Sequence, residues 1–159
     1  MRRAIALYPL ETRLPPPLLV VMLGVASWLF ARYAAAGAGA VPHGRSVGIV
    51  VIAAGLFCNL APKRAFRRAG TTVNPLRPQA TTQLVQCGLH RMSRNPMYLG
   101  HALILAGWAL HLQWWPALLA VPVYVVYITH FQILPEERAL AARFGAEYAA
   151  YCARVRRWF

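Results

Sequence analysis

Charge is scarce in this chain, and acid is scarcest. Of 159 residues only 13% are charged, and four of these, all glutamates, are acidic. Soluble domains usually carry about a quarter charged residues, so an ordinary water-surrounded globule is excluded. Cysteine is also sparse. Cys58, Cys87 and Cys152 show no CxxC or other ligand spacing, which gives neither a disulfide framework nor a metal site. Cys58 and Cys152 read as small packing residues. Nothing repeats internally. Apolar residues are abundant at 58%, and 17 Lys and Arg give a net charge of +13. A basic soluble protein would suggest a nucleic-acid partner. Here the arginines fall between long apolar runs, so anionic lipid headgroups are the natural partner and nucleic acid is not.

Those runs predict an all-α integral membrane fold of about four spans. Leu14 to Ala31 holds 18 residues without charge, enough for a membrane helix that Pro15-Pro16-Pro17 should open; the first span is placed at about 14–35. Ala34-Ala35-Ala36 resembles a signal-peptidase site, but the apolar run exceeds a signal core, so the span is read as retained. Gly37 to Gly44 reads as a loop. The second span, about 46–62, has Gly48 and Gly55 seven apart, a spacing that lets helices approach closely, and Asn59 near its end suits an interhelical hydrogen bond. A basic, turn-rich connection follows over 63–95, with a short strand-like or interfacial piece at Thr81–Val85. From Asn95 to Pro135 there are 41 residues without Asp, Glu, Lys or Arg, twice the length of one span. This is a tight helical hairpin, about 96–112 and 115–134, turning at His111–Pro116 with Trp114 and Trp115 at the interface and Pro122 kinking the second helix. Pro135-Glu136-Glu137 then starts an amphipathic C-terminal helix, 136–157, whose apolar stripe is Leu140, Phe144, Tyr148, Tyr151 and Val155. The whole is one membrane domain, 1–159. Four spans put 15 basic residues on the side of the termini and the 63–95 loop, and only Arg32 and Arg45 on the other. The positive-inside rule makes the crowded side cytoplasmic, as in a bacterial inner membrane. Glu11, Glu136, Glu137 and Glu147 lie there too, so polar chemistry belongs at that face.

The informative stretch is Gly88-Leu89-His90-Arg91-Met92-Ser93-Arg94-Asn95-Pro96-Met97-Tyr98-Leu99-Gly100. It sets arginines, His, Asn and Tyr just ahead of hydrocarbon, where polar groups are costly. Pro96 fits the first turn of a helix with Asn95 as N-cap, and a helix start beside an arginine suits a carboxylate. A membrane-entry cap with snorkelling arginines stands equally well on the residues alone. The hairpin returns Glu136 and Glu137 to the same face, near Arg94, Asn95 and Tyr98. Arginine and glutamates around an apolar cleft suit a ligand bearing both carboxylate and ammonium, an amino-acid moiety; the plain alternative is that Arg94 simply pairs with one of the glutamates.

Taken together, Gly70-Thr71, Pro75, Leu84-Val85, Gly88, Arg94-Asn95-Pro96-Met97-Tyr98-Leu99-Gly100, Glu136-Glu137 and the spacing Phe144-Gly145, Tyr148, Tyr151, Val155 resemble the isoprenylcysteine carboxyl methyltransferase and phospholipid methyltransferase group of integral membrane enzymes. The resemblance covers about Gly70 to Trp158. It implies S-adenosyl-L-methionine as cofactor, bound without a Gly-rich nucleotide fold, and the chain has no GxGxxG. It implies that Gly88, Leu89, His90, Arg94, Asn95, Pro96, Tyr98, Leu99 and Gly100 line the cofactor pocket, that Glu136 and Glu137 hold its polar groups, and that the tail helix closes over it. Arg94, Glu137 and Arg154 become the catalytic candidates; Tyr148 and Tyr151 sit near the acceptor. His101 and His130, one turn inside the face, are candidates for the acceptor tunnel, with packing or interhelical hydrogen bonding as the alternative. The chain departs from the pattern in having Asn95 where many members have His, and Val155-Arg156 where they end in Val-Pro. The implied reaction is direct methyl displacement onto a lipophilic acceptor (carboxylate, amine or thiol), with alignment and exclusion of water as the protein's main task. A carboxylate acceptor needs no base; an amine or thiol needs a Glu or His to take its proton. The rival readings are a bundle binding haem through His101 and His130 and a non-catalytic scaffold whose basic loop binds anionic lipid.

Overall fold

Pro15 and Pro16 open the first helix. Leu18 N–H donates to the Pro15 carbonyl at 2.9 Å, and α1 runs Pro16–Tyr33. The structure, a computed structural model, describes residues 14–33, 42–68, 70 and 83–159. Arg2, Arg3, Glu11, Arg13, Ala34–Ala36, Thr71, Pro75, Arg77 and the Thr81 end of the strand-like piece lie outside the described residues. The described residues are all helix and connection: α2 Gly44–Arg68, a 3-10 turn Gly88–Arg91, α3 Pro96–His111, a 3-10 turn Trp115–Leu119, α4 Ala120–Ile128, a π turn Thr129–Ile133 and α5 Leu134–Arg154. Three continuous helical stretches are long and apolar enough to cross a membrane: Pro16–Tyr33, Gly44–Arg68 and Trp115–Arg154. Their outward faces carry exposed apolar side chains, among them Val21, Met22 and Phe30 on α1 and Ile49, Val50 and Phe57 on α2. Such bands suit lipid rather than water.

The helix α3, with 16 residues, spans about 24 Å at 1.5 Å per residue and packs against α1, α2 and α4. Its contact with α2 is made by glycines in an antiparallel register, Gly48 opposite Gly107 and Gly55 opposite Gly100. A Cβ on Gly100 would stand 2.5 Å from the Gly55 carbonyl oxygen, and one on Gly48 2.5 Å from that of Gly107. Asn59 makes the expected interhelical bonds. Its Nδ2 donates to the Met97 carbonyl at 3.3 Å and lies 2.9 Å from His101 Nε2. His101 Nδ1 in turn sits 3.0 Å from the Tyr124 hydroxyl. Trp108 ties α3 to α1 by donating to the Gly24 carbonyl at 3.0 Å. The core between these helices is Leu19, Tyr98, Ala102, Leu105, Tyr124, Ile128 and Ile133.

Three prolines behave differently from their sequence reading, and one glycine adds a bend. Pro62 does not end α2, which continues to Arg68; buried helices tolerate proline where neighbours satisfy the freed carbonyl, and the basic last turn suits the negative end of the helix dipole. Pro122 falls in the first turn of α4, where its missing N–H leaves little gap, and the irregularity lies downstream. There the chain widens into the π turn Thr129–Ile133, with Thr129 Oγ1 bonded back to the Val125 carbonyl at 2.6 Å. That wider turn admits Pro135 without a break, so α4 and α5 are one continuous helical path rather than a span followed by a separate helix. Gly145, at φ 49° and ψ −118°, kinks α5, and the helix ends at Arg154 with Val155 extended, three residues short of 157.

Candidate functional site

The segment before α3 is shaped by its own backbone. Gly88 enters at φ 60°, a left-handed value that favours glycine. The 3-10 turn is closed by His90 N–H on the Cys87 carbonyl and by Met92 and Ser93 N–H on the Leu89 carbonyl. His90 is 6% exposed, its ring edge-on to Phe66 at 5.2 Å, and its carbonyl accepts from the Tyr151 hydroxyl at 2.7 Å. Burial pushes its imidazole down to about 4 even though the Arg94 carbonyl accepts from the ring. The other ring nitrogen, Nε2, is buried without a partner. A histidine held neutral this way stabilises the fold above its ordinary value of about 6.5 and loses that contribution as pH falls towards 4. The stability of the wild type, followed by thermal melts, should therefore fall relative to that of His90→Gln between pH 6.5 and 4, by on the order of 3 kcal/mol; parallel curves would show that the ring is hydrated.

Asn95 occupies the N-cap position of α3, with Pro96 at its first turn, but its side chain makes no capping bond. Its Nδ2 donates instead to the Arg157 carbonyl at 3.1 Å. Ser93 Oγ donates to the same carbonyl at 3.3 Å, and Arg94 N–H donates to the Arg156 carbonyl at 3.0 Å. The chain end after α5 thus lies across Ser93–Asn95 as a strap.

Under that strap the expected charges meet. Arg94 NH1 stands 3.2 Å from Glu137 Oε1 and also donates to Cys152 Sγ. Arg157 grips the same carboxylate with a fork, Nε to Oε1 at 3.0 Å and NH2 to Oε2 at 2.7 Å. Such two-point pairs are the strongest charged hydrogen bonds. Arg94 Nε is buried and unpartnered. On the preceding residue, Glu136 Oε1 accepts from the Tyr98 hydroxyl at 2.6 Å and from Gln132 Nε2 at 3.1 Å. Gln132 emerges from the π turn and is 2% exposed. Tyr148 and Tyr151 are buried beside Val155, with Leu84, Leu140, Phe144 and Cys152 packed around them, so the predicted stripe closes on the chain just before the 3-10 turn.

Not every candidate falls in this cluster. Gly88 is exposed, Leu89 and Leu99 are half-buried, and Pro96 is buried at the helix start. Gly100 faces α2 and serves helix contact. Arg154 is exposed and donates to Gln86 Oε1 at 2.8 Å, while Gln86 Nε2 donates to Glu147 at 3.2 Å. Both ring nitrogens of His101 are engaged, and His130 is exposed on the π turn, which does not favour a haem held between them. Sequence reasoning missed Ser93, Gln132 and Arg157. A glutamine in an uncharged run, four residues before a glutamate, was a signal for Gln132; Arg157 reaches Glu137 only because the chain end folds back.

The model of a family described as Phospholipid methyltransferase matches residues 44–147, which is well over half of the chain. An uncharacterized protein of Haemophilus influenzae is 45% identical over 62 residues, covering 39% of this chain and 98% of the relative. No solved structure matches.

Proposed function

The chain belongs to the phospholipid methyltransferase family, and we infer from that premise that it uses S-adenosylmethionine to methylate a lipophilic acceptor at the cytoplasmic face of a membrane. The observation that carries this reading is the half-buried Arg94–Glu137–Arg157 cluster with Arg94 Nε and His90 Nε2 unpartnered. Buried polar atoms without partners are uncommon in folded proteins, and these two match what the cofactor presents. Arg94 suits its carboxylate, Glu137 its ammonium, and the His90 lone pair an N–H or O–H of the adenosine. When bound, the cofactor supplies an electrophilic methyl group whose departure neutralises the sulfonium.

The chain's own residues do the rest. Tyr98 and Gln132 hold Glu136 in one orientation at the end of α3. Tyr151 fixes the 3-10 turn through the His90 carbonyl, and Tyr148 lies beside the acceptor. The strap over Ser93–Asn95 excludes water from the cluster. A carboxylate acceptor reacts as it stands. An amine or thiol must lose a proton, and Glu136 is the candidate base, since His101 is committed to Asn59 and Tyr124. The lipid tail enters sideways from the bilayer past the exposed His130.

For the topology, α3 serves as a fourth crossing, with the shortfall in its length met by the turns that flank it. The 15-to-2 distribution of basic residues then sets the termini and the site in the cytoplasm, and Lys63, Arg64, Arg67 and Arg68 at the end of α2 bind anionic headgroups. Calorimetry on the purified protein tests the reading: S-adenosylmethionine and S-adenosylhomocysteine should bind in the micromolar range, and Arg94→Ala should weaken both at least about thirtyfold. Folded wild-type protein in lipid that binds neither would sink it.

A further inference from the structure

Glu137 already has two cationic partners. Its Oε1 receives both Arg94 NH1 and Arg157 Nε, and its Oε2 receives Arg157 NH2, yet the reading above asks the same carboxylate to hold an ammonium group. The two arginines are not equivalent. The Arg94 side chain is 16% exposed and that of Arg157 35%, so Arg157 stands on the solvent side. The Arg94 guanidinium has a second hold, on Cys152 Sγ. Arg157, by contrast, is anchored through main-chain carbonyls: its own accepts from Ser93 and Asn95, and the neighbouring Arg156 carbonyl accepts from Arg94. Trp158 beyond it packs against the helical core. Its guanidinium can therefore leave the carboxylate while the strap stays in place.

We propose that Arg157 is a resident counter-cation of Glu137, occupying the place that the α-ammonium of an amino-acid-bearing nucleoside takes on binding. This rests on the cofactor reading above and deepens it. Exchange of one cation for another leaves Glu137 with two cationic partners before and after, so the buried carboxylate is never exposed to an apolar surrounding without compensation. The consequence is a penalty built into cofactor affinity, and a site that excludes nucleosides lacking the ammonium from any gain at Glu137.

The sign of a mutation separates this from a structural role. Removing a residue that merely lines a pocket weakens binding; removing a competitor strengthens it. Arg157→Ala and Arg157→Gln should each tighten S-adenosylhomocysteine by about three- to tenfold. Methylthioadenosine, which lacks the amino-acid moiety, should bind wild type and variants alike. The Gln variant keeps a shorter, uncharged polar side chain and serves if Ala does not fold. Calorimetry with both ligands decides. Weaker or unchanged S-adenosylhomocysteine binding overturns the proposal, and so does equal tightening of both ligands, which would mean a generally looser pocket. Wild type that binds neither ligand removes the cofactor reading and this inference with it, whereas wild type that binds while the variants fail to tighten removes this inference alone.

Discussion

Glu137→Ala should abolish measurable cofactor binding, with a loss of about a hundredfold or more. The carboxylate is the sole acid that touches both Arg94 and Arg157 among the described contacts. Without it two guanidinium groups face each other in a half-buried space, and a ligand bringing a further cation finds no anion. Truncating one member of a hydrogen-bonded charge cluster costs binding roughly 2–5 kcal/mol, most of it from the charges left unpaired. Glu137→Gln keeps the shape and one acceptor oxygen, so it should fall between wild type and alanine. The fold should suffer less than the binding. The cluster reaches solvent through Arg157, and pairs open to water contribute little to stability, so the loss should be about 1 kcal/mol. Calorimetry with S-adenosylhomocysteine, beside a thermal melt, separates the two effects. A Kd within threefold of wild type would mean that Glu137 only ties the strap down. Glu137→Ala and Arg157→Ala should therefore move affinity in opposite directions, although each breaks the same ion pair.

That Arg94 and Tyr98 would lie near Glu136 and Glu137 was legible from the sequence, though not which would pair with which. A charge-free run of twice a span's length has to fold on itself, and its two ends then share one face. The glycines of α2 were legible for a similar reason: seven-residue spacing marks one side of a helix. Their partners Gly100 and Gly107, spaced the same way, were not matched to them, and Gly100 was assigned to the pocket by its place in the motif. The second span was bounded at Pro62 because Lys63 ends the uncharged run, and Pro135 was read as opening a separate helix. Inside an apolar bundle the helix continues, and at Pro135 the π turn supplies the slack that no residue pattern announces. Gly145 carries the kink that lets α5 bend towards the 3-10 turn, but a lone glycine in a helical stripe reads equally as a small residue. The strap formed by the chain end was illegible. It rests on carbonyls of Arg156 and Arg157, which every residue possesses, so side-chain identity gives no hint of it. The same holds for Asn95, which reads as a cap and instead spends its amide on that strap.

Gly100→Ala should be among the most damaging small substitutions in the protein. Helix propensity alone predicts the reverse, since alanine is favoured over glycine by about 1 kcal/mol in a helix. The added Cβ would stand 2.5 Å from the Gly55 carbonyl oxygen and 2.7 Å from the Asn59 nitrogen. Both are backbone atoms of α2, which no rotamer change can move aside. Gly55 is already glycine, so no smaller partner could relieve the clash, and the helices must separate along their length. Overpacking of this kind costs about 1–3 kcal/mol and occasionally more, and separation also pulls Asn59 from His101 and shifts the N-terminal end of α3 that carries Arg94 and Tyr98. Gly24→Ala is the control. Its Cβ would meet only the Trp108 ring at 3.8 Å, an ordinary contact, so the melting temperature should hold or rise. Gly100→Ala should lower the Tm by several degrees and weaken S-adenosylhomocysteine, and Gly100→Leu should leave little monodisperse protein in detergent. If Gly100→Ala melts no lower than Gly24→Ala, the close crossing of α2 and α3 is wrong. A melt at wild-type temperature with binding lost would return Gly100 to the pocket wall where the motif first placed it.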